Sequence, residues 1–261
     1  MFKLPNGISF YVITRNESSR LEKCLNSIHK IVDEIIVIDS KSTDSTIKIA
    51  EKFKARIYKV DFKQSLSELR NYAISKAHFS WILTIDADEI LSQDLKKILK
   101  DLITSNNCEG YWFSRRHYLN QTVYLKYGYF YPDYQLRLFK NNRYRYSGRL
   151  HEHLNIPLQK TKHINQDIYH FAKNPKYDSL SRIKKLNWYI NLQSKNYLDD
   201  HRNLFYYLFM SIFSIPYHFI GSFVRGKGYK DGQKGFIAAI VFAQLLSYAY
   251  FVAFRKKISL K

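Results

Sequence analysis

The sequence predicts an α/β fold with a mostly parallel sheet, and three observations carry that prediction. Short β-branched runs alternate with segments of helical periodicity from residue 8 to residue 104, brief polar links join them, and two of the runs end in acids. Ile8–Ile13 reads as a buried strand closed by Thr14-Arg15-Asn16-Glu17. Ser18 or Ser19 is the expected cap of a helix whose Leu21, Leu25 and Ile28 share one apolar face. Glu34–Asp39 is the second strand, Ser45–Phe53 the second helix, Ala55–Val60 the third strand and Ser67–Lys76 the third helix. Trp81–Ile85 is the fourth strand, Asp86-Ala87-Asp88-Glu89 follows at its end, and a helix is expected over Ser92–Thr104. Right-handed crossovers between parallel strands bring the carboxyl ends to one edge, where ligands bind in open α/β sheets.

The pattern changes after residue 109. Gly110–Tyr118, Thr122–Phe130, Gln135–Phe139 and Tyr144–Leu150 are aromatic and β-branched runs broken by Asn, Gly and Pro, which predicts antiparallel strands. A polar stretch over Thr161–Asp167 leads to a helix over Ser179–Lys195. Leu204–Val224 and Phe236–Phe254 contain no Asp, Glu, Lys or Arg, although Pro216 interrupts the first. The expected organisation is an α/β half over residues 1–109, a β-rich half of the same domain over 110–175, and a basic, apolar helical region over 176–261.

Charge is divided unevenly. Residues 1–109 carry 17 Lys and Arg against 15 Asp and Glu, whereas residues 110–261 carry 25 against 7, so the second part holds nearly all of the net +20. Such a surface suits nucleic acid or anionic lipid. Two cysteines, Cys24 and Cys108, imply no disulfide framework and fit a reducing compartment. Met1–Gly7 holds no apolar core long enough for a secretory signal, so the catalytic part is expected in the cytoplasm.

The acids at the strand ends point to chemistry. On an extended chain Asp86 and Asp88 face one side, repel each other and want a cation, and oxygen ligands suit Mg²⁺ or Mn²⁺. Asp39 ends the second strand, where an acid suits ribose hydroxyls or a uracil imide. No Gly-x-Gly-x-x-Gly follows the first strand and no Gly-Lys-Ser/Thr loop occurs, which argues against dinucleotide and P-loop phosphate cradles and leaves a metal to carry phosphates.

These residues resemble the GT-A-fold, family 2 inverting glycosyltransferases, and most nearly the bacterial branch that adds β-linked glucose or a related hexose to lipopolysaccharide core. The resemblance rests on Thr14-Arg15-Asn16-Glu17, on Asp33 to Thr46, on Arg70-Asn71 and on Asp86-Ala87-Asp88-Glu89. It continues in Tyr131 to Phe139, His151-Glu152 and Asp231-Gly232-Gln233-Lys234-Gly235-Phe236. Lys41 and Ser45 depart from it, standing where Gly is common. The resemblance implies a Rossmann-like mostly parallel sheet with an antiparallel acceptor-side extension and C-terminal helices, a UDP-hexose donor, and a divalent metal, Mg or Mn. It implies that Thr14, Asn16, Glu17, Asp39, Ser40, Arg70 and Asp86 hold the nucleotide, and that Asp88 and His151 bind the metal. Arg137 and His153 would contact phosphate or acceptor.

Inversion needs a general base for the acceptor hydroxyl. Asp133 stands where related family 2 enzymes place theirs, and Glu152, inside His151-Glu152-His153, is the competing candidate and is slightly preferred. The implied acceptor is a lipid-linked saccharide at the inner face of a membrane. Each C-terminal apolar segment is about 20 residues long, enough to span a bilayer. A spanning hairpin would put Arg225, Lys227, Lys230 and Lys234 outside, against the positive-inside tendency, so helices lying in an anionic interface are expected, with a buried helical pair as the alternative. A nucleic-acid-binding protein explains the basic half but gives the acid loops no purpose, so no nucleic acid is expected. Phosphoryl transfer through an aspartyl intermediate at Asp86 is disfavoured by Glu89.

Overall fold

The first four predicted strands lie side by side and supply the floor of the site. The computed structural model describes residues 4–61, 65–105, 107–118, 122–142, 144–148, 152–171, 179–199 and 202–259. Strands β1 (Ile8–Thr14), β2 (Glu34–Asp39), β3 (Arg56–Lys59) and β4 (Trp81–Thr84) pair in parallel, β1 between β2 and β4. Then come β5 (Glu89–Leu91), β6 (Gly110–Tyr118), β7 (Asp133–Lys140), the short β8 (Tyr146–Ser147) and β9 (His153–Leu154), and β10 (Thr161–Phe171). The main sheet runs β3-β2-β1-β4-β7-β6-β10-β5, with β8 and β9 as a separate hairpin. The β4–β7, β6–β7 and β5–β10 pairings are antiparallel, so a mixed sheet grows from a parallel core as the sequence predicts.

Alternation along the buried strands sends side chains to two faces. Val37, Phe10, Val12 and Leu83 meet helices α1 (Ser18–Ile28), α2 (Thr46–Lys52) and α4 (Gln93–Ser105) on one face. Ile36, Ile38, Tyr11 and Ile82 meet α3 (Leu66–Ser75) on the other, through Leu69, Ala73 and Ile74. A capping box starts α3: Ser65 Oγ accepts from the Glu68 N–H, and the Glu68 carboxylate accepts from the Ser65 N–H at 2.6 Å.

The structure corrects several local expectations. Thr161–Asp167 is not a connecting stretch. It is the first part of β10, whose polar, half-exposed side chains hide the strand pattern. Thr122–Phe130 forms no strand: Tyr124 makes an isolated bridge to Tyr118, and Gly128–Phe130 is a 3₁₀ turn. The Tyr144–Leu150 run is a strand only over Tyr146–Ser147, and residues 149–150 lie outside the described residues. Neither Ser18 nor Ser19 caps α1, because Glu17 occupies that position and Ser18 is already helical.

The chain divides into two units, residues 1–116 with 133–171 and residues 117–132 with 172–261. The second unit contains α5 (Ser179–Asp199), α6 (Leu204–Phe219) continuing as a π-helical turn over Ile220–Arg225, and α7 (Gly232–Ser259). Pro216 sits inside α6 without ending it. Within this unit one Asp231 oxygen accepts the backbone N–H groups of Lys126 and Tyr127 at 2.9 and 3.0 Å, which ties residues 126–127 to the start of α7. Gly235 meets the Gly228 carbonyl so closely that a Cβ would stand 2.0 Å from it, so the Asp231 to Phe236 motif is a packing constraint.

Candidate active site

Three loops at the strand ends build the first part of the site. In the β1 and β2 loops, Asp39 is almost fully buried. Its Oδ1 accepts from the hydroxyls of Thr14 at 3.1 Å and Ser42 at 2.5 Å, and its Oδ2 accepts the Ser42 N–H at 2.9 Å. Asn16 Oδ1 accepts the Thr43 N–H at 2.8 Å, and the Ser40 N–H donates to the Thr14 carbonyl at 2.8 Å. Asp39, Thr14 and Asn16 therefore hold the two loops against each other. Lys41 has a φ of 56°, in the left-handed region that favours glycine, which is why a Gly-prone position here constrains loop geometry.

The acid stretch does not stay extended. Ala87 and Asp88 form a turn, closed by the Glu89 N–H donating to the Asp86 carbonyl and the Asp86 N–H donating to Glu89 Oε2, both at 2.9 Å. Asp86 and Asp88 consequently meet different partners. Asp86 accepts from Arg137 Nη2 at 2.9 Å and faces Arg70 Nη2 at 3.7 Å. Burial opposes its charge, but the Arg137 and Arg70 guanidinium groups outweigh burial and hold the carboxyl well below the usual carboxylate range. Asp88 accepts from Arg20 Nη1 at 2.8 Å and lies 3.5 Å from His170 Nε2. Burial, the largest single influence, raises its pKa, but the bond and charge of His170 and the charge of Arg20 together outweigh it, and the net shift is downward. Arg20 also donates to Glu17, whose backbone N–H is held by Thr46 Oγ1.

Arg137 reaches this cluster because of a bulge. Tyr111 pairs with Leu138 and the next residue, Trp112, with Leu136, which leaves Arg137 as the extra residue on β7. Bulges re-aim side chains, and this one delivers a guanidinium that bonds Asp86 and the fully buried Glu89 together. Arg115 completes the cluster, 3.2 Å from Glu89 and bonded to Asp133 Oδ2 at 2.8 Å.

Helix α3 positions the remaining groups. Asn71 pairs with the Tyr146 backbone through both amide atoms, at 2.9 and 2.8 Å, and so fixes the β8–β9 hairpin that carries Glu152 and His153. The Arg70 guanidinium lies over the Tyr146 ring at 5.1 Å, with its Nε 4.0 Å from Glu152 Oε2. Arg70, Asp86, Arg137, Glu152 and His153 line one cavity of about 420 Å³. Asp133 is absent from that lining, and its oxygens accept from Arg115 and Gln135. His151 lies outside the described residues. Sequence reasoning missed Arg20, Arg115 and His170. The cue for His170 was its place at the end of a strand that its polar pattern concealed.

The donors fit a hard divalent cation that a ligand helps to coordinate. Among the described residues no group of three or more His, Cys, Asp or Glu side chains forms a metal cage, but Asp88 and His170 adjoin, and Mg²⁺ commonly takes one or two carboxylates together with substrate phosphates.

The fold and its converging charges define an α/β domain with a candidate ligand site at its strand ends. The chain belongs to glycosyl transferase family 2, whose sequence profile matches residues 9–180. The chain is 39% identical over 108 residues to an uncharacterized glycosyltransferase of Rickettsia conorii, a match covering 41% of this chain and 38% of that relative's length. It is 28% identical over 251 residues to the lipopolysaccharide core biosynthesis glycosyltransferase LpsC of Rhizobium meliloti, covering 91% of this chain and 87% of LpsC. Among solved structures it is similar to the glucosyl-3-phosphoglycerate synthase of Mycobacterium tuberculosis in complex with Mn²⁺, UDP and glucosyl-3-phosphoglycerate. That similarity has a TM-score of 0.37 at 25% identity and covers 42% of this chain and 44% of that one.

Proposed function

We propose that the chain transfers a hexose, in the simplest case glucose from UDP-glucose, with inversion to a saccharide acceptor of the cell envelope. The observation that carries the reading is the convergence of Arg70, Asp86, Arg137 and Glu152 on one cavity beyond the end of β4. Breaking the bond between the sugar and the diphosphate releases negative charge, and Arg70 stands beside Asp86 to stabilise it. Asp88 and His170 would hold a divalent cation, which when bound neutralises the diphosphate. Thr14, Asn16, Asp39 and Ser40 would frame the nucleoside. Glu152 accepts the proton of the attacking hydroxyl; its place in the cavity lining favours it over Asp133, which is engaged by Arg115 and Gln135.

The likeness to LpsC along most of both chains supports a lipid-linked core saccharide as acceptor. The second unit supports delivery at a membrane surface, which the reading takes to be the cytoplasmic face. Leu204–Arg225 and Gly228–Ser259 are each long and apolar enough to cross a bilayer, yet only 22% and 39% of their most apolar windows are buried in the protein. Phe205, Phe209, Ile212 and Phe213 are exposed on α6, while Arg225, Lys227, Lys230 and Lys234 cluster where α6 gives way to α7. That combination suits helices lying in an anionic interface.

Calorimetric titration of the full chain with UDP-glucose in Mg²⁺, repeated with excess chelator, tests the donor reading. Binding that disappears with the chelator is expected. Equal binding in both titrations removes the metal, and no binding of UDP-glucose, UDP-galactose or a UDP-N-acetylhexosamine removes the UDP-sugar donor.

A further inference from the structure

The carboxylates beyond β4 are neutralised by arginines of this chain. Arg137 bonds Asp86 and Glu89, Arg70 stands beside Asp86, and Arg115 stands beside Glu89. Asp88 takes its counter-charge from Arg20 and His170, and both reach the same oxygen. Arg20 Nη1 lies 2.8 Å and His170 Nε2 3.5 Å from Asp88 Oδ2. A divalent cation held by Asp88 and His170 would stand beside the Arg20 guanidinium, and two positive groups at one carboxylate oppose each other.

Helix stability does not account for Arg20. It lies in the first turn of α1, which holds no acid, and the positive end of the helix dipole disfavours a cation there. A second carboxylate holds it instead. Glu17 Oε2 accepts from Arg20 Nε at 2.7 Å and also from Nη2, while Nη1 goes to Asp88. Glu17 is fixed in turn, because its N–H donates to Thr46 Oγ1 at 2.8 Å and the Thr46 N–H donates to Asp44 at 2.9 Å. Arg20 can therefore give up Asp88 at the cost of one bond and keep its two bonds to Glu17.

We infer that Arg20 is an internal competitor of the metal, pairing with Asp88 while the nucleotide is absent and withdrawing onto Glu17 when a diphosphate brings negative charge in with the cation. The bare cation is then held weakly, and its uptake depends on the nucleotide. The inference rests on the assignment of Asp88 and His170 to a divalent cation, and it adds the residue that sets the affinity and couples it to the donor.

Electron paramagnetic resonance of free Mn²⁺, titrated against the full chain with and without UDP, tests this. The wild type should bind Mn²⁺ weakly alone and more tightly with UDP. Arg20→Gln should tighten binding about tenfold without UDP and change it less than about threefold with UDP, so that the enhancement by UDP shrinks. Linkage requires the enhancement of UDP binding by Mn²⁺, read by calorimetry, to shrink by the same factor. Arg20→Lys keeps the charge and should stay within about threefold of the wild type. Lys23→Gln removes an exposed cation from the same helix and should leave both affinities unchanged. Unchanged or weaker Mn²⁺ binding by Arg20→Gln without UDP overturns the inference and leaves Arg20 a support for the Asp88 side chain. Equal tightening in Lys23→Gln also overturns it, since net charge would then explain the effect. If Arg20→Gln does not fold, Arg20→Met, which keeps the apolar stem, takes its place. A wild type that binds no Mn²⁺ even with UDP overturns the metal assignment and the inference with it, a result distinct from Mn²⁺ binding that ignores Arg20.

Discussion

Arg137 and Glu89 form an ion pair at 2.8 Å, and Glu89 is completely shielded from solvent. The pair binds a bulge on β7 to the turn that follows β4, which fixes the position of Asp86 between them. Burial disfavours the Arg137 charge, but Asp86 and Glu89 outweigh it and keep the guanidinium protonated across the accessible pH range.

Removing one partner of such a pair strands the other charge. Glu89→Ala is expected to destabilise the first unit by about 3–5 kcal/mol, whereas removing a surface pair such as Lys97–Asp94 costs at most about 1 kcal/mol. Denaturant unfolding followed at the tryptophans measures both, and similar small losses would show that Glu89 is not the anchor of the site.

For the general base, Glu152→Gln and Asp133→Asn are to be compared in one assay. Glu152→Gln should lose about 10²-fold to 10⁴-fold in kcat with donor binding nearly unchanged. Asp133→Asn loosens the hold on Arg115 and should act less on turnover than on stability. A larger kcat loss in Asp133→Asn reverses the assignment.

Asp88→Asn keeps the shape of the side chain and removes its charge, and His170→Ala removes the neighbouring nitrogen donor. Both should weaken Mn²⁺ binding in the presence of UDP, by about 10-fold or more for Asp88→Asn, with circular dichroism unchanged. Wild-type Mn²⁺ affinity in Asp88→Asn would falsify its role as a ligand.

Asp44 gives a pH signature. Burial, the largest single influence, raises its pKa, but hydrogen bonds from Thr46 and Ser18 together outweigh it and bring it down to about 2. A carboxyl depressed in the folded state contributes stability above its ordinary pKa, and that contribution is lost as pH falls through about 2. The stability difference between wild type and Asp44→Asn should therefore shrink from about pH 4 to pH 2, by less than about 1 kcal/mol because the group is exposed. A difference that stays constant over that window would show that these bonds do not favour the charged form.

If α6 and α7 lie in an anionic interface, the full chain should sediment with vesicles containing phosphatidylglycerol and bind phosphatidylcholine vesicles more weakly. Salt should release it only in part, since screening removes the Lys and Arg attraction and leaves apolar burial intact. Complete release at moderate salt rejects insertion, and labelling of a Gly228→Cys variant from the periplasm indicates a spanning hairpin.

The sequence by itself determined the parallel core and where its acids fall. Apolar runs of one strand's length, such as Ile35–Ile38 and Trp81–Ile85, admit few structures other than buried strands, and chain order then sets their crossovers. It also showed that positive charge gathers in the later residues and that Leu204–Val224 and Phe236–Phe254 are predominantly apolar, with no Asp, Glu, Lys or Arg. The tertiary structure decided which groups meet. Arg20 pairs with Asp88 across 68 residues, Asn71 holds Tyr146 across 75, and Asp231 holds Lys126 across 105. Neither partner in such a pair carries a local mark, because a polar residue on a helix or loop reads the same whether water or a distant residue satisfies it. The same limit concealed β10, recognisable as a strand only from its neighbours, and the bulge at Arg137, where one extra residue on β7 shows only against β6.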